Sequence, residues 1–279
     1  MNVQGSIEFG DGLTVGRLGY GAMRLTGTGV WGCAENRNQA QEVLIETVRL
    51  GVTLLDTADA YGPYTNEDLI HETLSPYPED FRIATKGGIV RGRDRSWNPD
   101  GRPEHLRAAC RGSMKRLGVE AIDLYQLHTP DPEVPFEESI GALAELREAG
   151  EILNIGLSNV SVEQLRTARG ICPIASVQNL FNLSDQTSKD VLEECEKDGT
   201  AFLPYFPMAA GDLADSGGAV DEISSERGVT HGQVALAWLL ALSPVIVPVP
   251  GTSSVEHLRE NVAATAITLS EGDLEKLSG

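Results

Sequence analysis

Four ionisable side chains stand at or just after the ends of three successive apolar runs. Asp56 and Tyr61 belong to TLLDTADAYG, Lys86 ends RIATK, and His128 follows IDLYQL. A carboxylate, a phenol, an ammonium and an imidazole at one site can transfer a proton, because a nearby cation lowers the pKa of tyrosine. The spacing therefore predicts an acid–base centre in which Asp56 holds Lys86 in its charged form.

Each of these four residues also has an ordinary structural explanation when it is taken alone. Asp56 can cap a turn, Tyr61 can pack in a core, Lys86 can be a solvated strand end, and His128 can be a satisfied loop residue. Their joint position favours the catalytic interpretation, because the carboxyl ends of successive parallel strands meet at one rim of a barrel.

The elements that position these residues alternate between short strands and helices. Apolar runs bounded by turn residues begin at Leu18, Thr53, Ile83, Ile122, Ile152, Ser176, Thr200 and Val245. Most of them are separated by segments of helical period, and 219–227 and 230–241 predict additional helices around strands 7 and 8. Strands joined through helices form parallel sheets, so eight such units predict an α/β fold, a single (β/α)8 TIM barrel over residues 1–279.

Local turn and helix-capping residues support these predicted elements. Asp11-Gly12, inside the alternating stretch SIEFGDGLTV, predicts an N-terminal β-hairpin. Pro103 is suited to the first turn of a helix, and capping boxes are predicted to begin at Ser161 and Thr230.

The composition excludes several classes of protein. With 41% hydrophobic and 23% charged residues in 279, the chain can bury a core and is not disordered. The formal charge of −19 repels phosphate backbones and anionic lipids, so we expect no nucleic-acid or membrane partner. Only 5 of the 22 cationic residues are Lys, which is consistent with a GC-rich genome or with a salt-adapted surface.

The cysteines and the N-terminal residues indicate the cellular compartment to expect for this protein. Four scattered cysteines without a CxxC pair predict reduced thiols and no metal site. The first ten residues lack a basic and apolar leader, and no stretch approaches 18 uninterrupted apolar residues, so we expect a cytoplasmic protein.

Several motifs resemble, in order, those of the aldo-keto reductase family, and bacterial and plant pyridoxal-reductase-like members are the nearest resemblance. The matching stretches are RLGYGAMRL, TLLDTADAYG, ATKGG, DLYQLH, ILNIGLSNV, SVQNLFN, FLPYFPMAAGDL and VPVPGTSSVEHLREN. The resemblance implies a (β/α)8 barrel that binds an extended nicotinamide cofactor without a Rossmann domain. The chain agrees in lacking a GxGxxG motif between a strand and a helix.

The resemblance implies reduction of an aldehyde or ketone to an alcohol by hydride transfer from nicotinamide C4. Carried over position by position, Tyr61 is the general acid and Lys86 tunes its pKa. Asp56 is the partner of Lys86, and His128 orients the substrate carbonyl.

The resemblance also implies a cofactor shell, in which Asp56 takes part. Ser158, Asn159 and Gln178 would bind the nicotinamide carboxamide, and Tyr205 would stack on the ring; Gln178 can alternatively be a buried structural amide. The other implied contacts are Gly21, Ala22 and Met23 at the ribose, Pro207, Met208 and Gly211 at the pyrophosphate, and Thr252 and Asn261 at the adenosine.

Two further implied cofactor contacts, Gly251 and His257, depart from the family pattern. Many members have Lys at the position of Gly251 and Arg at the position of His257, and that Lys and Arg both bind the 2′-phosphate of NADP. The loss of two cations weakens a strict NADP preference, so we expect NADP(H) to be favoured and NAD(H) to remain possible.

The substrate is expected to be a small-molecule aldehyde or ketone. The chain stops at Gly279, soon after its last predicted helix, which predicts an open pocket without a long C-terminal loop. Trp31, in the loop after the first predicted strand, and Trp97, in the loop after the third, either line that pocket or brace the barrel rim. Two other functions stay open: a barrel in which Lys86 forms a Schiff base, as in aldolases, and a slow-turnover subunit that senses nicotinamide.

Overall fold

A β-hairpin begins the computed structural model, which describes residues 3–208 and 218–278. Strand β1 (Ser6–Phe9) pairs antiparallel with β2 (Leu13–Gly16), and Gly12 in the turn has a φ of +70°, a conformation that favours glycine. The predicted N-terminal hairpin is confirmed.

Seven parallel strands follow in one sheet, and a second hairpin is inserted among them. The strands are β3 (Tyr20–Gly21), β4 (Leu54–Asp56), β5 (Arg82–Gly87), β6 (Ile89–Arg91), β7 (Trp97–Pro99), β8 (Ile122–Leu127), β9 (Ile152–Ser158), β10 (Ser176–Gln178) and β11 (Ala201–Phe202). The parallel order is β3-β4-β5-β8-β9-β10-β11, whereas β6 and β7 pair antiparallel with each other. This hairpin corrects the prediction that Trp97 lies in a loop: it begins β7.

Residues 245–250 occupy the eighth strand position and close the sheet. Phe202 exchanges two backbone hydrogen bonds of 2.9 Å with this segment on one side. On the other side, Gly19 and Gly21 donate to it at 2.9 and 3.2 Å. The predicted (β/α)8 barrel is therefore confirmed.

Helices follow the strands around the outside. They are α1 (Arg37–Arg49), α2 (Thr65–Leu74), α3 (Pro103–Leu117), α4 (Phe136–Glu148), α5 (Val162–Arg169), α6 (Lys189–Glu196), α7 (Ala219–Arg227), α8 (His231–Leu242), α9 (Val255–Ala263) and α10 (Glu271–Ser278). Pro103 begins α3, and both predicted capping boxes, at Ser161 and Thr230, have their two hydrogen bonds. Within 3–208 and 218–278, no helix has the length and apolarity needed to cross a membrane.

The barrel interior is apolar at one end and polar at the other. Phe9, Leu13 and Val15 of the first hairpin join the cluster that includes Leu54 and Leu124, so the hairpin closes the N-terminal end of the barrel. Side chains alternate along a strand, and the next inward positions toward the C-terminal end are polar. The chemistry-bearing residues therefore meet at that end.

Candidate active site

The four predicted catalytic side chains meet at the C-terminal end of the barrel. Asp56 is the last residue of β4, Lys86 lies near the end of β5, and His128 directly follows β8. Tyr61 lies in the turn after β4 and is 6% exposed.

Lys86 is the centre of this cluster and is fully buried. Its Nζ donates to Asp56 Oδ2 at 2.7 Å and to the Thr57 carbonyl at 2.9 Å. The third contact is the Tyr61 hydroxyl, 3.4 Å from Nζ. Three oxygen contacts compensate the desolvation that burial imposes on an ammonium ion.

Two amides hold the carboxylate of Asp56. Gln126 and Gln178 each donate from Nε2 to Asp56 Oδ1 at 3.0 Å. Gln178, predicted as a carboxamide ligand or a structural amide, is therefore tied through its side-chain nitrogen to the ion pair of Asp56 and Lys86. Gln126 was not predicted, although a polar residue at the inward position between Leu124 and His128 was a usable signal.

Burial and charge act in opposite directions on Tyr61 and Lys86. Burial raises the pKa of Tyr61, and the charge of Lys86 opposes that rise without reversing it. The sequence-based expectation of a lowered tyrosine pKa is thus wrong for the net shift, although the effect of Lys86 has the predicted sign. Burial lowers the pKa of Lys86, but Asp56 and Tyr61 outweigh it and the net pKa is raised. Lys86 therefore stays charged.

His128 is held as a neutral imidazole. Burial, followed by repulsion from Lys86, lowers its pKa well below the usual value. Its ring centroid lies 5.9 Å from that of Tyr61 and 6.2 Å from that of Trp97, both in edge-on geometry. His128 Nδ1 is buried and has no hydrogen-bond partner among the described residues.

A cleft of about 850 Å³ runs from this cluster across the barrel rim. The predicted residues that line it are Gly21, Met23, Asp56, Tyr61, Trp97, His128, Ser158, Asn159, Gln178, Tyr205, Pro207, Met208, Gly251, Thr252, His257 and Asn261. Ala22, Trp31 and Lys86 are not part of its lining within the described chain; Lys86 is buried beside Asp56 and Tyr61. Gly211 lies outside the described residues.

The residues predicted to hold the carboxamide are already tied to one another. Asn159 has a φ of +60° and donates from Nδ2 to the His128 carbonyl at 2.9 Å and to Ser158 Oγ at 3.1 Å. The Tyr205 hydroxyl donates to Asn159 Oδ1 at 2.9 Å. This network couples the end of β9 to the backbone of His128 and to the predicted stacking platform.

The far end of the cleft carries the predicted adenosine contacts. Thr252 is fixed by the Tyr20 hydroxyl, which donates to its carbonyl at 2.6 Å, and His257 lies on the exposed side of α9. Asn261 is 4% exposed, and its Nδ2 has no partner within the part of the chain that the structure describes. A buried amide without a partner in a cleft is suited to bind a polar ligand edge.

Several lining residues were not predicted from the sequence. They are Arg24, Phe206, Thr230, His231, Gly232, Val249, Ser253 and Glu260. Most lie in loops or first helical turns, where no periodic pattern marks an inward position. Phe206 is 41% exposed, so it contributes an apolar surface to the cleft.

A family model and two relatives match nearly the whole chain. A family model described as Aldo/keto reductase family matches residues 17–279. An uncharacterized oxidoreductase of Schizosaccharomyces pombe is 44% identical over 273 residues, covering 98% of this chain and 89% of the relative. Pyridoxine 4-dehydrogenase of Escherichia coli is 41% identical over 273 residues, covering 95% of each chain.

A solved structure agrees over the whole length. An aldo/keto reductase from Klebsiella pneumoniae, in complex with NADP and acetate, has a TM-score of 0.85 and 25% identity, covering 99% of this chain and 94% of that one. The match of the family model over nearly the whole chain and two relatives above 40% identity are sufficient to assign the family. The chain belongs to the aldo/keto reductase family.

Proposed function

We propose that this protein is an NADPH-dependent reductase of small aldehydes or ketones in which Tyr61 is the proton donor. The observation that carries the proposal is the contact of the Tyr61 hydroxyl with the buried ammonium of Lys86, beside a neutral His128 and at the base of a long cleft. This combination supplies a proton and a hydrogen-bond donor to one carbonyl oxygen.

The residues of the cleft fit an extended nicotinamide cofactor. We assign Ser158, Asn159, Gln178 and Tyr205 to the nicotinamide end, and Thr252 and Asn261 to the adenosine end. The buried Nδ2 of Asn261, which has no partner among the described residues, supports a ligand at that end. When bound, the cofactor supplies a hydride from nicotinamide C4 to the carbonyl carbon.

The side chains of this protein manage the proton. Tyr61 gives its hydroxyl proton to the substrate oxygen as that oxygen gains negative charge. Lys86, held charged by Asp56 at 2.7 Å, stabilises the resulting phenolate. The neutral His128 donates a second hydrogen bond to the same oxygen from the ring nitrogen opposite the buried Nδ1.

NADPH is the cofactor we favour, and NADH remains possible. The solved relative from Klebsiella contains NADP. In this chain, His257 lines the adenosine end, whereas Gly251 offers no charge and Glu260 adds a carboxylate. The guanidinium of Arg24 also lines the cleft, as do the imidazoles of His231 and His257. Because this end of the cleft lacks the Lys and Arg that many family members have at positions 251 and 257, we expect a weaker preference for NADPH than those two cations would give.

A planar heteroaromatic aldehyde such as pyridoxal is the first substrate to test. The relative from Escherichia coli is a pyridoxine 4-dehydrogenase and matches 95% of this chain. The aromatic side chains of Trp97 and Phe206 line the cleft and are suited to a flat ring.

The Schiff-base alternative is not favoured by the site. A lysine that forms a Schiff base must be available as a neutral amine. The pKa of Lys86 is raised, because Asp56 and Tyr61 outweigh the effect of burial, and its Nζ has three oxygen contacts. Trapping with borohydride and an aldehyde should therefore leave Lys86 unmodified.

The decisive experiment combines cofactor titration with turnover. Quenching of protein fluorescence by NADPH and NADH measures affinity, and a panel of aldehydes including pyridoxal measures NADPH oxidation. Tight NADPH binding with turnover of at least one aldehyde supports the proposal. Binding without turnover of any aldehyde would favour the slow-turnover sensing subunit, and absence of binding would contradict both functions.

Tyr61→Phe tests the assigned proton donor. We expect kcat to fall by about 10²- to 10⁴-fold, the range that general acid catalysis contributes, with NADPH affinity changed by no more than a few fold. Tyr64→Phe is the matched control, because Tyr64 is 50% exposed three residues further along the same turn. A Tyr61→Phe variant that keeps most of its kcat removes Tyr61 from the mechanism.

A further inference from the structure

A buried guanidinium, that of Arg91, joins the loops around the substrate end of the cleft. Arg91 ends β6 and is 9% exposed. Its Nη1 donates to the carbonyls of Val30 at 2.9 Å and Ala60 at 3.3 Å. Its Nη2 donates to the carbonyls of Gly29 at 3.2 Å and Arg95 at 3.1 Å.

These four carbonyls belong to three different segments. Gly29 and Val30 lie in the loop after β3, and Ala60 immediately precedes Tyr61 in the turn after β4. Arg95 lies in the turn between β6 and β7. One side chain thereby fixes the position of the β6–β7 hairpin relative to the turn that carries Tyr61.

The same guanidinium stacks on Trp97. The Arg91 Cζ lies 3.7 Å from the centroid of the Trp97 ring, closer than its 5.4 Å to Trp31. Trp97 contacts the catalytic residues edge-on, with centroid distances of 6.4 Å to Tyr61 and 6.2 Å to His128. Trp97 is nevertheless 41% exposed and lines the cleft, so part of its ring surface is available to a ligand.

Arg91 is not arranged to bind an anionic substrate itself. Its two terminal nitrogens donate to four main-chain carbonyls, and the guanidinium is covered by Trp97. A lysine could not reproduce this arrangement, because an ammonium lacks the planar fork that donates in several directions while it stacks on a ring. The geometry indicates a structural support for the aromatic surface.

We propose that Arg91 is a positioning residue that holds Trp97 as the aromatic wall of the substrate site, and that this wall makes the enzyme select planar aromatic aldehydes over saturated ones. The inference rests on the proposed reductase function. A flat ring that stacks on Trp97 brings its carbonyl toward Tyr61 and His128, whereas a puckered saturated ring contacts the same surface less closely.

The test compares benzaldehyde with cyclohexanecarbaldehyde, which are similar in size but differ in planarity. The measured quantity is the ratio of their kcat/KM values with NADPH in the wild type, Trp97→Leu, Arg91→Lys and the double variant. The two aldehydes differ in intrinsic reactivity by the same factor in all four assays, so a change in the ratio between proteins reports on the site. We expect Trp97→Leu to lower the ratio by about 3- to 10-fold, the range that an aromatic pair contributes.

Arg91→Lys should lower the ratio by a similar factor, mainly through the KM for benzaldehyde, and should add little in the Trp97→Leu background. Arg95→Gln is the matched control, because it removes a cation from the same hairpin. The Arg95 Cζ lies 5.9 Å from the centroid of the Trp31 ring, whereas the cation stacked on Trp97 is Arg91. That control should leave the ratio within twofold of the wild type.

The outcomes separate this inference from the function on which it rests. If the wild type reduces neither aldehyde nor any other with NADPH, the proposed function fails and the inference fails with it. If the wild type reduces aldehydes but Arg91→Lys lowers kcat/KM equally for both, Arg91 supports the fold without selecting substrates, and the inference is overturned. Thermal unfolding and NADPH affinity of each variant exclude a loss of folded protein as the cause, and Arg91→Gln replaces Arg91→Lys if the latter does not fold.

Discussion

The acidity of Tyr61 depends on two opposed physical effects within a few ångströms. Burial favours the neutral phenol, and the ammonium of Lys86, 3.4 Å from the hydroxyl, favours the phenolate. Asp56 in turn keeps Lys86 charged and is itself held by Gln126 and Gln178. A proton donor in this environment depends on the ion pair beside it, which makes the pair testable through the pH dependence of the reaction.

Replacement of Lys86 by methionine should move a pH limb upward. Under the proposed mechanism Tyr61 acts as the base in alcohol oxidation, so the rate should rise as the phenolate forms. Because Lys86 opposes the burial that raises the pKa of Tyr61, Lys86→Met should raise that pKa further and displace the limb toward higher pH. The measurement is the pH profile of kcat/KM for alcohol oxidation.

The partner of Lys86 provides the control for this prediction. Lys86→Met combined with Asp56→Asn should cost little more activity than the worse single change, because the two residues act as a unit. Fully additive losses would show that the pair is not coupled, and an unshifted pH limb would separate Lys86 from Tyr61.

Replacement of His257 by arginine should increase the preference for NADPH. A guanidinium stays charged and can bind a phosphate through two hydrogen bonds, so we expect the ratio of NADPH to NADH affinity to rise by about 10-fold or more. His257→Gln should lower that ratio. Fluorescence titration with both cofactors measures it.

Arg259→Gln is the matched control on the same helix. The Arg259 guanidinium pairs with Glu46 at 2.8 Å, and the residue is not among those that line the cleft. An equal change of the cofactor ratio in this variant would mean that general electrostatics, and not contact at residue 257, sets the preference.

For single residues, the sequence predicts which side chains meet at the site better than it predicts their pKa values. Asp56, Tyr61, Lys86 and His128 meet as expected, because strand ends place them at one rim. The net rise of the Tyr61 pKa could not be predicted, since it depends on burial by residues distant in the sequence. Arg91 gave no signal either, because its partners are main-chain carbonyls from three loops.

Helices α2 and α3 and strand β5 are joined by one buried carboxylate. Glu67 on α2 is fully buried; Arg116 on α3 donates to its Oε2 at 2.6 Å, and Thr85 on β5 donates to its Oε1 at 2.6 Å. The same helix α3 also carries Arg107, whose pair with Glu145 on α4 is largely exposed. The two pairs allow the effect of burial to be measured on one helix.

Arg116→Met should therefore destabilise the protein far more than Arg107→Met. Loss of Arg116 leaves the charge of Glu67 buried without its cation, which costs about 3–5 kcal/mol. The exposed Arg107 pair should contribute about 1 kcal/mol or less. Denaturant unfolding of both variants measures the difference, and equal losses would mean that Glu67 is adequately solvated without Arg116.

Periodic and capped elements were predictable, and short irregular ones were not. The capping boxes at Ser161 and Thr230 carry their start signals within four residues, so a local pattern was sufficient. The β6–β7 hairpin has only Ile89 and Val90 as an apolar run, and its pairing depends on the Arg91 contacts with other loops. Its strands could not be separated from a loop by periodicity.

The whole molecule carries a formal charge of −19, distributed over a surface where many arginines are paired with carboxylates. Like-charge repulsion destabilises a compact state, and it acts over longer distances than the attraction within each pair. Salt screens the long-range repulsion first, because the Debye length is about 10 Å at 0.1 M. Stability should therefore increase with moderate salt, in contrast to a protein held together mainly by exposed ion pairs.

Thermal unfolding in KCl tests this expectation and separates the two origins of the acidic, arginine-rich composition. Between 0.02 and 0.2 M KCl we expect Tm to rise by about 2–4 °C, which for a protein of this size corresponds to about 1 kcal/mol.

A composition that reflects only a GC-rich genome should give a plateau above this range, because repulsion beyond a few ångströms is already screened. A salt-adapted surface should instead give a continued rise to about 2 M, and the rise should be smaller in choline chloride if specific cations bind the carboxylates. A Tm that falls between 0.02 and 0.2 M would show that local pairs such as Arg111–Glu151 outweigh the repulsion, and that the net charge does not limit stability.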